Sequence, residues 1–264
     1  MYRKEVNTES RLVSALIRRL SRRSLPLGAA ALMLALAACT QPDGTSEFND
    51  PYETTNRAVH DFNKSSDTRV LRPLSQAYVT VVPEPVQDSV INLAENIELP
   101  GVVVNNLLQF DLDAATRNTV RFAINTVFGI GGIFDPADVM GLREVSSDFG
   151  ETLYVWGVPE GAYIELPLLG PSTERAAFGR LVDTVTNPLT ASLPSPERYY
   201  GTGLKVVKRI DQRGRFGSTL DSILYDSADS YAQSRLLYLQ NRRFELGDTA
   251  GDAYFDPYED PYDF

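Results

Sequence analysis

A mainly helical fold with few or no strands is predicted by three observations. Apolar residues recur at helical spacing in stretch after stretch between Tyr52 and Phe244, prolines and helix-capping Asp residues stand where those stretches begin, and the regular alternation of strands is nearly missing. With 264 residues, 43% hydrophobic and 23% charged, the chain can bury a real core in one or two domains, and its composition is neither fibrous nor disordered.

The first segment does not belong to that fold. Arg11, Arg18, Arg19, Arg22 and Arg23 precede a short apolar run, Leu25 to Ala38, which ends Leu36-Ala37-Ala38-Cys39. A basic region, an apolar run too short to span a bilayer and small residues at its end describe an export signal. Cys39 is the only cysteine, and its position resembles a bacterial lipobox, in which the thiol is acylated and the cysteine becomes the mature N-terminus. Residues 1–38 therefore read as a lipoprotein signal peptide and 39–48 as an acylated polar tether. Thr40, a non-Asp residue after the cysteine, resembles lipoproteins sent on to the outer membrane. Without residues 1–38 the chain holds 18 basic against 33 acidic residues, a net charge of −15. That balance opposes nucleic-acid binding, which needs a basic footprint.

The fold proper, residues 49–247, starts where Asn49 and Asp50 offer an N-cap and Pro51 suits the first helical position. Tyr52, Val59 and Phe62 fall on one face of a helix to about Asn63. His60, the lone histidine, has no nucleophile motif beside it and reads as a surface or capping residue. Arg72-Pro73 opens a second helix, and Pro83 and Pro85 end it and start a third. There Val86, Val90, Leu93, Ala94 and Ile97 form an apolar stripe opposite Gln87, Asp88, Asn92 and Glu95, and Leu99-Pro100-Gly101 predicts a break. Asp111 or Asp113 caps the next helix, whose Val120, Ala123, Ile124 and Val127 keep helical spacing up to residue 127.

At Phe128-Gly129-Ile130-Gly131-Gly132-Ile133-Phe134 the chain is apolar throughout yet holds three glycines, so it neither propagates a helix nor supplies the bulk of a core strand. It reads as a bend. Bends normally face water and are polar, so this one either tucks against the core, the ordinary arrangement, or touches something oily. Asp135-Pro136 restarts a short helical turn, and 148–156 reads as another short helix. The proline-rich run Tyr163 to Pro171 reads as extended and irregular, a second apolar loop. Helices follow at 173–186, at Leu204 to Arg215 with a basic face, and at 227–244. The basic helix suits an anionic membrane surface or simply solvent. Residues 248–264 mix acids with Tyr and Phe and lack Lys and Arg, the composition of a disordered tail.

Chemical motifs are few. The sequence has no Gly-Lys-Ser or Gly-Lys-Thr, no Gly-x-Ser-x-Gly elbow, and only one His and one Cys, which removes most metal and triad sites; the glycines at 129, 131 and 132 do not complete a dinucleotide fingerprint because position 134 is Phe. Carboxylate-only hydrolysis of a lipid or cell-wall substrate survives by counting, although no spacing marks a pair.

Several motifs carry a resemblance. Asp50-Pro51-x-Glu53-x-x-Asn56-Arg57, Phe62-Asn63, Arg72-Pro73, Arg121-Phe122-x-x-Asn125-Thr126-x-x-Gly129-x-Gly131-Gly132-x-x-Asp135, Asp148-Phe149-Gly150, Gly170-Pro171-Ser172 and Arg175 resemble, in order and spacing, the MlaA/VacJ family of outer-membrane lipoproteins. The resemblance covers 49–247; Ser230 stands where the family has Pro, and 248–264 lies outside it.

The resemblance implies a ring-like assembly of amphipathic helices with a central channel, lodged in the outer membrane beside a trimeric porin. It further implies a non-enzymatic role: removal of mislocalised phospholipid from the outer leaflet and delivery to a soluble periplasmic lipid-carrier protein. No metal or cofactor is expected beyond the acyl lipid on Cys39, with phospholipid as substrate. Within that reading Phe128, Gly129, Ile130, Gly131, Gly132, Ile133 and Phe134 are assigned to the channel-side or gating hairpin, with the glycines giving mobility and a core turn as the rival assignment, and Phe62 and Asn63 to the support of the channel. The alternatives are the carboxylate-dependent hydrolase and a structural lipoprotein that braces the porin.

Overall fold

The computed structural model describes residues 48–194 and 199–247. The signal segment, Cys39, the tether before Phe48 and the segment 248–264 lie outside the described residues. The described fold is mainly helical with one two-stranded sheet, and none of its helices is long and apolar enough to cross a membrane.

Helix α1 (Glu53–Ser66) runs without interruption through a π-helical turn (Asp67–Leu71) into α2 (Arg72–Val81). Sequence spacing predicts two separate helices here, yet the Arg72 N–H reaches back to Asp67 O across the wide turn. That turn displaces the carbonyl that the Pro73 ring would otherwise strike, so the chain stays helical. Asp50 is not the cap either. The first turn of α1 has no side-chain cap; Asp50 instead turns inward, accepting from Asn56 Nδ2 (2.9 Å) and the Tyr231 hydroxyl and pairing with Arg235.

Helix α3 (Glu84–Leu108) corrects the expected break, because Pro100 lies inside it. A proline ring pushes away the preceding turn and loosens its carbonyls. Here Asn187 Nδ2 donates to the carbonyl of Ile97 at 3.1 Å. Gly101 makes that approach possible: a Cβ there would stand 3.1 Å from Asn187 Nδ2.

Helix α4 (Leu112–Val127) is capped by Asp111, which accepts from Ala114 N, and packs along α3. After the bend come α5 (Pro136–Val139), capped by Asp135, and α6 (Phe149–Val155), capped by Asp148. The segment expected to be irregular is a hairpin. Strands β1 (Tyr163–Leu166) and β2 (Gly170–Thr173) pair antiparallel, Tyr163 opposite Thr173 and Leu166 opposite Gly170. Pro171 is tolerated because an edge strand of a two-stranded sheet has an N–H to spare. Helix α7 (Glu174–Thr186) packs on α6, α8 (Pro188–Ser192) on α3, and α9 (Tyr200–Arg215) against α2 and α3. Then α10 (Gly217–Asp221), a second π-helical turn (Ser222–Asp226) and α11 (Ser230–Glu245) close the described chain.

On α3 and α4 polar side chains share the inward face with apolar ones, and large apolar side chains stand on the outward face. On α3 the residues buried are Gln87, Ala94, Asn96, Leu99, Val102, Asn105 and Asn106, whereas Val86, Leu107 and Leu108 are exposed. On α4 Asn118, Arg121 and Asn125 face inward while Val120 and Val127 face outward. An aromatic cluster, Tyr163, Tyr231 and Leu239 with Phe48 and Tyr238 packed on it, lies where α11 meets the hairpin. Elsewhere small and aliphatic residues such as Ala94, Leu99, Val102 and Leu153 share the interior with polar side chains, most of them hydrogen-bonded, as burial requires.

On the basic helix α9, Lys205, Arg209 and Arg215 are exposed, while Lys208 and Arg213 turn inward. Arg213 is buried and holds Asp67 through two 2.8 Å contacts, and Lys208 lies 3.3 and 3.2 Å from Glu95 and Glu98. Burial opposes the Lys208 charge, but Glu98 and Glu95 outweigh it and raise its pKa. His60 is also corrected from surface to interior: its Nε2 meets Ser230 Oγ at 3.1 Å and its ring packs edge-on against Tyr231.

Candidate functional site

The glycine-rich bend follows α4 as a series of tight turns. Ile130, Gly131 and Gly132 all have positive φ, 55°, 74° and 101°, a conformation glycine adopts readily and a β-branched residue does not. Phe128 (75% exposed), Ile130 (66%) and Phe134 (55%) point outward, and Ile133 is also exposed. The turn is therefore not tucked into the core; it presents a contiguous run of large apolar side chains to its surroundings.

Its underside is fastened. Gly131 N donates to Thr126 O (2.9 Å) and Phe134 N to Gly129 O (2.9 Å). From α3, Asn96 Nδ2 reaches Gly131 O (3.1 Å) and Thr126 Oγ1 (3.2 Å), and Asn92 Nδ2 reaches Ile133 O (3.4 Å). Gly129 and Gly132 are sites of close approach: a Cβ on Gly129 would collide with the Asn125 and Phe134 carbonyls, and one on Gly132 would stand 2.5 Å from Asn96 Cβ. Gly131 alone of the three faces open space.

The exit from the bend is held by charge. Arg121, buried, pairs with Asp135 at 2.7 Å and donates to Leu142 O, and Asn125 bridges Asp135 Oδ1 (2.9 Å) to the Ala137 N–H (3.1 Å). Burial alone would raise the Asp135 carboxyl; the Asp138 N–H, Asn125 and Arg121 hold it below its ordinary value.

From there the amide network continues inward. Asn118 joins Asn106 Oδ1 (2.9 Å) to the Val145 backbone, Asn105 joins Asp183 (2.9 Å), and Gln109 joins Ser147 and Thr152. Burial, reinforced by Glu95, raises the Glu144 carboxyl. None of these amides was singled out from sequence. The available signal was the number of asparagines in α3: Asn is a poor helix former, so its repetition at 92, 96, 105 and 106 requires partners outside the helix.

Asn63 latches the hairpin. Its Nδ2 donates to Glu165 Oε1 (3.1 Å) and Leu166 O (3.0 Å), and its Oδ1 accepts from Leu168 N (2.6 Å), at a residue with φ 61°. Phe62 is exposed beside it, as are Leu168 and Leu169 at the hairpin tip. Thus 62–63 and 128–134 belong to different parts of the fold, one on the hairpin and one on α3 and α4. Cys39 lies outside the described residues.

Ser230, His60 and Glu165 stand in the order of a catalytic triad, but they do not work as one. Glu165 Oε1 is 3.5 Å from His60 Nδ1, which has no hydrogen-bond partner, and that carboxylate already accepts from Asn63 and from Tyr163 OH (2.6 Å). His60 is 3% exposed, whereas acyl transfer needs a substrate carbonyl within reach of nucleophile and base. The contact ties the first turn of α11 to α1. No group of three or more His, Cys, Asp or Glu suited to a metal ion occurs among the described residues.

The model of the MlaA lipoprotein family matches residues 48–245. The intermembrane phospholipid transport system lipoprotein MlaA of Haemophilus influenzae is 32% identical over 222 residues, 81% of this chain and 87% of that protein. Its Escherichia coli K12 counterpart is 31% identical over 225 residues, covering 84% and 86%. A Rickettsia felis protein is 33% identical over 198 residues, 73% of this chain and 76% of that one. A solved structure, from work on the structural basis for maintenance of bacterial outer membrane lipid asymmetry, superposes with a TM-score of 0.66 at 32% identity and covers 75% of this chain and 98% of its own. The chain belongs to the MlaA lipoprotein family.

Proposed function

We propose that the protein is a lipid-anchored outer-membrane lipoprotein that takes mislocalised phospholipid from the outer leaflet and passes it to a soluble periplasmic carrier. The observation that carries this reading is the pairing of a partly polar interior with large apolar side chains on the outside. Helices that bury Asn96, Asn105, Asn118 and Arg121 while exposing Val120, Val127, Phe128 and Phe134 suit a body surrounded by acyl chains with a polar route inside it. In water the same arrangement would leave the apolar faces uncompensated.

Phospholipid has both characters, so a polar interior can guide its headgroup while its tails stay with the apolar surface. The seat is interfacial, given by amphipathic helices and the acyl group on Cys39. The helices form a ring about a central channel, a trimeric porin flanks it, and the bend at 128–134 forms part of its wall, with Phe62 and Asn63 supporting it through the hairpin. No step requires bond breaking; the free energy of the misplaced lipid drives its movement. The named relatives act in intermembrane phospholipid transport, which supports the same role here.

The test is transfer of labelled phospholipid from vesicles carrying the acylated protein to a soluble acceptor. Movement without new products is expected. Release of fatty acid would replace the reading with a hydrolase, and unchanged lipid distribution in cells lacking the protein but retaining the porin would replace it with a bracing role.

A further inference from the structure

A cleft of about 250 Å³ lies between the loop after α6, the start of α7 and the last turn of α11, lined by Tyr154, Val158, Glu160, Arg175 and Arg243 among others. It is remote in sequence and bonding from the bend. Arg175 is 6% exposed; it donates to Val158 O at 2.9 Å and lies 5.0 Å over the Tyr154 ring. A guanidinium carries five N–H groups, and no carboxylate among the described residues lies within the 4.0 Å ion-pair distance of this one. Burial lowers its pKa, with Glu160 opposing only in part. A buried cation without a paired anion is costly, and an entering anion removes that cost.

The neighbouring groups complete the pattern. Glu160 Oε2 accepts from Arg243 at 3.0 and 3.3 Å, while Glu160 Oε1 is buried without a donor. The cleft thus offers guanidinium N–H groups to an oxyanion and one carboxylate oxygen to an N–H or O–H beside it. An acidic residue with its own peptide N–H presents that pair.

We propose that this cleft is an oxyanion site whose occupant is a carboxylate from the chain's own C-terminal segment, residues 248–264. Arg243 is four positions before Gly247, after which the sequence has Asp248, Asp252, Asp256, Glu259, Asp260 and Asp263 and no Lys or Arg. Seventeen residues reach at most about 58 Å when extended, several times the length of the last turns of α11. So short a tether supplies an effective concentration in the millimolar range, and a carboxylate on a guanidinium is among the stronger hydrogen-bonded pairs. The outer face of α11 adds a shallow groove at Leu237, Gln240, Asn241 and Phe244, with Leu237 and Phe244 exposed. Tyr254, Phe255 and Tyr258 are the matching apolar groups.

The test is hydrogen exchange of the segment 154–160 in the full mature protein. It is compared with a variant in which Asp248→Asn, Asp252→Asn, Asp256→Asn, Glu259→Gln, Asp260→Asn and Asp263→Asn are combined, which leaves every residue lining the cleft unchanged. Exchange is expected to rise about tenfold in the variant, the ratio for a site filled roughly nine times in ten. Arg243→Gln should do the same, as should about 0.5 M salt, where screening is nearly complete. Equal exchange in wild type and tail variant overturns the proposal. Inorganic phosphate that slows exchange equally in both also overturns it, because the cleft would then be an oxyanion site that the tail does not fill.

Discussion

Replacing Gly132 by alanine measures how tightly the apolar bend is seated on α3. At φ +101° an L side chain is strained, which costs about 1–3 kcal/mol. The new Cβ would also stand 2.5 Å from Asn96 Cβ, an overlap that costs about 1–3 kcal/mol more. Asn96 has little room to retreat, because its Cβ is fixed to the helix backbone and its amide is bonded to Thr126 and Gly131. The expected loss is about 4 kcal/mol, the middle of the summed range. Gly131→Ala is the control: its φ is +74° but nothing lies within 4 Å, so only the backbone cost of about 1–2 kcal/mol applies. Urea unfolding of the purified protein in detergent, followed by the fluorescence of Trp156, the only tryptophan, gives both values. Equal losses, or a loss at Gly132 under about 1 kcal/mol, would refute the close-packed account of the bend. In cells, Gly132→Ala should weaken the detergent barrier more than Gly131→Ala.

The other predictions concern the hairpin and the last helix. Asn63→Ala removes three hydrogen bonds to Glu165, Leu166 and Leu168 and should cost about 2–3 kcal/mol, with amide exchange rising across 163–173. Unchanged lipid asymmetry in that variant would argue against a supporting role for Asn63 in transport. Asp229 is held at a pKa of about 2, first by Arg57 and then by the Ala232 N–H. Its folded value lies below the ordinary 3.8, so its stabilising contribution is complete above that value and is lost as pH falls towards 2. Asp229→Asn keeps the helix cap and should flatten the fall in unfolding midpoint through that window; because the pair is half-exposed, the slope is small.

Local features were legible from sequence because they depend on neighbours a few residues away. Asp111 or Asp113 was named as the cap of α4, and Asp111 fills it; Asp135-Pro136 starts α5, and the three glycines mark the bend. Features that depend on distant partners were not legible. Pro100 predicts a break by its own chemistry, and it is Asn187, ninety residues from Ile97, that supports the loosened turn. The proline-rich run from Tyr163 conceals a hairpin because its register depends on Asn56 and Asn63, which lie on α1. His60 looks like a surface residue until Ser230 and Tyr231 are brought over it.

What the sequence by itself determined is the mainly helical class, the caps of α4 and α5 and the apolar bend, along with the motifs that the family shares. Periodicity and capping are short-range, so they are written locally. Only the tertiary structure decided which face of each helix is inside. An amphipathic pattern defines two faces, but it does not say whether the medium outside is water or lipid. Which face turns inward is set where Asn118 meets Asn106, Arg121 meets Asp135 and Arg213 meets Asp67. A buried polar group is tolerated only with its partner in place, and those partners come together only when the chain is folded.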